Sequence, residues 1–297
     1  MKRFLALLML LTLFSVPAMA DNATNVVCSF YPIMIFARNL LDGVENVTLT
    51  CLTAPDTGCL HDVQLLTGDM RTLSGADVLL INGAGMEGYL DTVFSQFPNL
   101  VTVDASQGIK LLIDEDEGHP NAHIWLNIDN ACVMLKNLSE GLCTAIPAET
   151  ETINANLAAY TQRLQALKEE METALTPCAG KGIITFHEAF PYFAEEFGLE
   201  ILATVVNEED SSFNSISPAE LARLIELVRE NGLPPLFTEP QYPSLVAETL
   251  SAETGAPVYS LDPAVTGEYE KTAYEDAMRR NLDALLMAFD IAREAEQ

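Results

Sequence analysis

Apolar positions along this chain fall into two rhythms. Short apolar runs, many of them β-branched, cover 25–31, 47–53, 77–81 and 100–103 in the first half, and 182–186, 200–206, 235–238 and 257–261 in the second. Stretches with an apolar period of three to four residues separate them, 218–230 among these. Continuous rather than alternating apolar runs with helices in between predict parallel strands covered on both faces. The chain therefore reads as two α/β lobes.

Between the halves lies 148–176, bounded by Pro147 and Pro177 and free of Gly and Pro inside. Ile153, Leu157, Tyr160, Leu164, Leu167, Met171 and Leu175 recur every three or four residues, which puts them on one stripe of a helix about 43 Å long. Such a helix would be a stiff connector; the pattern alone also fits a surface helix within one domain. The expected division is a first lobe over 21–147, the helix over 148–176 and a second lobe over 177–297.

Residues 1–20 belong to neither lobe. Lys2 and Arg3, an apolar stretch from Phe4 to Phe14 and the small-x-small site Ala18-Met19-Ala20 read as a secretory signal peptide. The apolar stretch is too short to span a bilayer. A soluble exported protein starting at Asp21 is expected. No cysteine stands at the cleavage point to take a lipid, so the periplasm is the first choice of location and secretion the second.

Charge removes some partners. The net charge is −28, and losing the leader takes two of the fifteen basic residues and no acidic one, leaving −30. Nucleic acid and anionic membrane surfaces would be repelled. The six cysteines, Cys28, Cys51, Cys59, Cys132, Cys143 and Cys178, are too few for a disulfide framework and contain no CxxC pair. Cys132 and Cys143 cannot pair if they share one helix, because eleven residues of helical rise is roughly 16 Å.

Candidate chemistry rests on four histidines, His61, His119, His123 and His187. His61 follows the second strand, His123 lies past the fourth, and His187 ends the first strand of the second half. Ligands of parallel sheets bind at the carboxyl ends of strands, so three imidazoles would face one cleft. Asp262 stands at the matching end of the last strand. Three neutral imidazoles and a carboxylate form a tetrahedral nitrogen and oxygen site of the kind that suits Zn²⁺.

Six segments sharpen this reading: Gly58-Cys59-Leu60-His61-Asp62, Ala76 to Glu87, Ala122-His123-Ile124-Trp125-Leu126, Thr185 to Phe193, Glu239-Pro240-Gln241-Tyr242 and Tyr259 to Pro263. In this order, from about residue 25 to the end, they resemble the motifs of the ZnuA/TroA-like zinc and manganese solute-binding proteins of ABC importers. The resemblance implies two (β/α)4-type lobes joined by a rigid helix, with one divalent metal held between them and handed to a membrane permease. His61, His123 and His187 match the three histidine ligands and Asp262 the carboxylate. Manganese members commonly carry glutamate at the third position, so His187 favours zinc, with manganese or iron(II) as the alternative.

The chain departs from that pattern in two places. The long His- and acid-rich loop of zinc-specific members is reduced to Asp114-Glu115-Asp116-Glu117-Gly118-His119, a solvated charge run with His119 as a possible accessory ligand. Asn121 and Asn127 replace residues that are often acidic or proline, which puts the surroundings of the second ligand in doubt. Glu239 is a candidate to orient a ligand histidine. Glu188 is a candidate for the same role or for the N-terminus of the next helix. Trp125 reads as packing beside the ligand loop, and Phe186, Phe190, Tyr192 and Phe193 as core or cleft wall. Cys59 is expected to pair with Cys28 or Cys51 rather than to ligate.

A different class, an exported zinc hydrolase, has less support. His187-Glu188 is followed by Pro191 where an HExxH zincin needs histidine, and neither a G-x-S-x-G elbow nor a P-loop is present. The expectation is a monomeric binding protein, not an enzyme. Because its imidazoles must be neutral, its metal affinity should fall as pH drops through about 6.5.

Overall fold

The computed structural model describes residues 23–290 except 59, 61, 62, 64, 114–117, 206–215 and 243. The expected leader and its cleavage site lie outside these residues. Among the described residues eight strands are formed: β1 (Thr24–Cys28), β2 (Val47–Cys51), β3 (Val78–Ile81), β4 (Val101–Asp104), β5 (Gly182–Thr185), β6 (Glu200–Thr204), β7 (Leu236–Thr238) and β8 (Val258–Ser260). They make two four-stranded sheets, ordered β2-β1-β3-β4 and β6-β5-β7-β8, with every pairing parallel. The helices are α1 (Tyr31–Leu40), α2 (Thr67–Ser74), α3 (Asp91–Gln96), α4 (Ile128–Ala145), α5 (Thr150–Leu175), α6 (Pro191–Phe197), α7 (Pro218–Glu230), α8 (Leu245–Thr254) and α9 (Ala273–Ala288). The two halves repeat one topology.

All eight strands fall where the apolar runs place them, but most stop early. The first run extends to Tyr31, yet the chain leaves the sheet at Cys28. Pro32 sits in the first turn of α1, where a missing N–H costs nothing, and the Ser29 hydroxyl is drawn to Glu87 at 2.7 Å. The edge strands β2, β4 and β6 are mostly half-buried and β8 is largely exposed, so the expectation of cover on both faces holds for the central strands.

Three apolar cores form. Val27, Leu79, Leu73, Leu90 and Val93 fill the outer face of the first sheet, and Ile184, Leu236, Leu224, Val228 and Leu250 that of the second. The inner faces share a single core running from Val26 and Phe36 through Trp125 and Tyr160 to Tyr274 and Leu285. Within it Phe36 of α1 meets Tyr160 of α5 and Tyr274 of α9 edge-on, at 6.2 and 5.4 Å between ring centres. Edge-on pairs of this kind add stability beyond their buried area.

Helix α5 carries the predicted stripe. Ile153, Tyr160, Leu164, Leu167, Met171 and Leu175 are buried, Leu157 half so, and short 3-10 turns at Pro147–Glu149 and Thr176–Cys178 continue it at both ends. About 39 Å long, it packs on α1 and α4 from the first half and on α6 and α9 from the second. It is therefore a shared wall of both lobes as well as a connector. No described helix is long and apolar enough to cross a membrane.

Cys28 and Cys51 are register partners on β1 and β2. Both are free thiols, as are Cys132, Cys143 and Cys178. Cys59, expected to pair with Cys28 or Cys51, lies outside the described residues. Burial pushes the Cys28 and Cys51 thiols up, which keeps them protonated and unreactive.

Candidate metal centre

The carboxyl ends of both sheets meet across one crevice, and the order of strands reverses between β1 and β3 and between β5 and β7, where parallel sheets receive ligands. His187 follows β5, Glu239 follows β7 and Asp262 lies two residues past β8. His123 precedes a 3-10 turn, Ile124–Leu126, that leads into α4. His61 lies outside the described residues.

His123 and His187 come from different lobes and stand with ring centres 4.9 Å apart and planes at 89°. Both are almost wholly buried. His187 Nδ1 lies 2.7 Å from Glu239 Oε1. An ionised carboxylate only accepts hydrogen bonds, so Nδ1 carries the proton and the lone pair falls on Nε2, the ligating form. Glu239 Oε2 takes a second bond, from Gln241 Nε2 at 2.7 Å.

The same logic holds at His123 through a residue that sequence reasoning treated as a departure. Asn121 Oδ1 accepts from the His123 backbone N–H at 3.0 Å and lies 3.2 Å from its Nδ1. Its Nδ2 donates to the Glu188 carbonyl at 2.7 Å, tying the His123 loop to the His187 loop across the crevice. The Tyr192 hydroxyl donates to the Asn121 carbonyl and accepts from the Leu112 N–H, both at 2.9 Å. A neutral carboxamide thus orients the second histidine.

Asp262 is held differently. Its N–H and C=O are both bound by buried Asn281, at 2.6 and 2.8 Å. Oδ1 accepts from the Ala264 N–H at 2.8 Å and Oδ2 from Arg280 Nη2 at 2.6 Å. Trp125 bridges this loop to the histidines: its ring is centred 5.2 Å from that of His123, and its Nε1 donates to the Pro263 carbonyl at 2.8 Å. Among the described residues no group of three or more His, Cys, Asp and Glu side chains is poised to hold a metal. They bring His123 and His187 together, with Glu239 behind His187, while the Asp262 carboxylate is turned to Arg280.

The other candidates are scattered. Glu188 is half-buried, two residues before Phe190, the N-cap of α6. His119 is exposed beside the Ile113 to Pro120 bridge, and 114–117 lie outside the described residues. Phe186, Phe190, Tyr192 and Phe193 are buried. A small cavity is lined by Phe186, His187, Glu239, Tyr242 and Ser244. Tyr242 reaches across to the first lobe, where a Cβ on Gly58 (φ +83°) would lie 2.5 Å from its hydroxyl.

A buried carboxylate underlies the first-lobe side. Glu87 accepts from Ser29 Oγ and the Asn82 N–H, each at 2.7 Å, and from the Gly83 N–H at 3.0 Å. Burial pushes its carboxyl up to about 7 against the pull of these donors, with the Asp104 charge adding to the rise. Asn82 Nδ2 donates to the Ala122 carbonyl at 3.0 Å, linking this network to the residue before His123. Gly83 turns the chain at φ +78°, and a Cβ there would overlap the Asp104 carboxylate and Ser106.

Comparison with known proteins places this arrangement in company. Residues 26–288 match the family model of ZnuA, described as the periplasmic zinc-uptake complex component A. The zinc-binding protein AdcA of Streptococcus pyogenes serotype M6 is 26% identical over 92% of this chain, and the match spans only 58% of AdcA. The iron-binding protein YfeA of Yersinia pestis is 28% identical over 82% of this chain and 81% of its own length. The Zn(II)-bound ZnuA-like domain of Streptococcus pneumoniae AdcA has a TM-score of 0.76 at 25% identity, over 90% of this chain and 99% of that domain.

Proposed function

The chain belongs to the ZnuA family of metal-binding components of uptake complexes, and from that premise we propose that it captures a divalent metal ion, zinc first, and delivers it to an ABC permease. The observation that carries this reading is the buried pair of perpendicular imidazoles contributed by separate lobes, each with Nδ1 within hydrogen-bond distance of a side-chain oxygen, which favours the tautomer that ligates through Nε2. His61 would supply a third imidazole and Asp262 a carboxylate. Nitrogen-rich ligation of this kind suits zinc. The likeness to zinc-binding AdcA favours the same metal, and the likeness to iron-binding YfeA keeps iron(II) or manganese as the second reading.

In this reading residues 21–147 and 177–297 each carry half of the site, and 148–176 fixes their spacing. The protein acts as an exported, periplasmic monomer, and binding rather than catalysis is its task, since a shell of four protein ligands leaves no open position for a reacting water. The test is elemental analysis of protein purified without added metal, followed by zinc titration of the stripped form and of His187→Ala. Saturation at about a thousand times Kd should stabilise the fold by about 4 kcal/mol. His187→Ala should lose most of the zinc-dependent rise in melting temperature; an undiminished rise would refute the site.

A further inference from the structure

Asp262 is clamped at its backbone and engaged at both carboxylate oxygens. Asn281 holds its N–H and C=O, Ala264 holds Oδ1 and Arg280 holds Oδ2. Only the side-chain torsions remain to bring the carboxylate to a metal. His123, His187 and Asp262 do not stand as a metal-holding group among the described residues, which agrees with a carboxylate turned toward Arg280. The ion pair is asymmetric: the Asp262 side chain is 11% exposed and that of Arg280 59%.

We propose that Arg280 competes with the metal for the Asp262 carboxylate and thereby sets the preference of the site for zinc over manganese. The inference rests on the reading of Asp262 as a ligand. A guanidinium is always charged and makes a strong charge-assisted bond to a carboxylate, here at 2.6 Å. A metal approaching Asp262 either displaces this bond or shares the carboxylate with a nearby positive charge. Both penalties fall on the metal in proportion to how far it depends on carboxylate. Manganese favours oxygen ligands and depends on it heavily; zinc is already held by imidazole nitrogen. Arg280 therefore weakens manganese more than zinc. Its exposed end lets it swing into water when displaced, so release of Asp262 leaves no buried charge behind.

A mere positioning role gives the opposite sign. If Arg280 only aimed Asp262 at the metal, its loss would weaken both ions, manganese the more. The experiment titrates the metal-stripped full chain with Zn²⁺ and with Mn²⁺ against a chromophoric chelator, for wild type, Arg280→Gln, Arg280→Lys and Asp262→Asn. Arg280→Gln should tighten Mn²⁺ at least tenfold, equivalent to about 1.4 kcal/mol, and change Zn²⁺ less than about threefold. Arg280→Lys keeps the charge and should hold close to the wild-type ratio. An unchanged or enlarged zinc-to-manganese ratio in Arg280→Gln overturns the inference. Asp262→Asn separates the two failures. If it weakens the metals while Arg280→Gln leaves their ratio unmoved, only the competition is wrong; if it changes neither affinity, the ligand reading of Asp262 falls and the inference with it.

Discussion

Replacing Glu239 by glutamine isolates the orientation of His187 from its presence. In the wild type the 2.7 Å bond from His187 Nδ1 to Glu239 Oε1 fixes the tautomer and adds negative charge behind the ring. Glutamine keeps the shape in a site only 5% exposed. It removes the charge and can present its NH2 to Nδ1, which would leave Nε2 protonated and unable to ligate. The glutamine oxygen then takes the place of Glu239 Oε2 and keeps the bond from Gln241 Nε2, so the fold need not lose a hydrogen bond. Loss of such an outer partner typically weakens metal binding ten- to a hundredfold. At a zinc concentration a thousand times the wild-type Kd, the zinc-linked stabilisation should then fall from about 4.1 to between about 2.7 and 1.4 kcal/mol. The assay is thermal unfolding of Glu239→Gln with and without zinc, beside direct titration. Unaltered zinc affinity, or a drop in metal-free stability as large as the loss in the zinc-bound form, would refute the argument.

Two further substitutions probe the first-lobe network. Because burial raises the Glu87 carboxyl to about 7 in the fold, the unfolded chain releases that proton first, so metal-free stability should decline as pH rises from about 4.5 to about 7 and stay lowered above it. Glu87→Gln should remove up to about 3 kcal/mol of that decline in urea unfolding across this range, and a difference from wild type that does not change with pH would contradict it. Gly83→Ala forces φ +78° on a residue with a Cβ and drives that Cβ into the Asp104 carboxylate. It should cost about 2 kcal/mol or more, and a change in urea midpoint worth under about 0.5 kcal/mol would show that the turn relaxes freely.

Legibility of the chain in sequence follows the range of the interactions. The stripe on α5 and the eight apolar runs are local patterns, set by periods of 3.6 and by β-branched burial; the fold displays the stripe nearly residue for residue and a strand in every run, most of them cut short. His123, His187 and Glu239 were accessible because they sit at strand or turn ends, where topology alone aims side chains at the crevice. The roles of Asn121, Asn82 and Glu87 had no comparable signal, since the bonds that tie them to the Glu188 carbonyl, the Ala122 carbonyl and Ser29 span 40 to 67 positions. Asn281 left one trace that could have been read: a polar residue on the stripe of Ala277, Met278, Leu282 and Leu285 that α9 buries. A buried carboxamide must find partners, and the backbone of Asp262 is where it finds them.

The shared inner core also constrains how the crevice can open. Gly267 N–H donates to the Pro55 carbonyl, the Tyr269 hydroxyl to the Thr53 carbonyl and the Tyr31 hydroxyl to the Glu268 carbonyl. The segment that follows Asp262 is thereby fastened to the first lobe at Thr53 and Pro55 and at α1. Rigid-body separation of the lobes would break these bonds, at about 1 kcal/mol each, and would part the contacts of Phe36 with Tyr160 and Tyr274 as well. Rotation of the Asp262 side chain away from Arg280 breaks one ion pair, exposed at its arginine end, and the bond from the Ala264 N–H, and none of the apolar core. Local rearrangement is the cheaper motion by several contacts, because low-stability opening is drawn from exposed hydrogen bonds rather than from packed interiors. The stiffness expected of α5 from its length alone thus has a second and larger source, the apolar surface that both lobes bury against it.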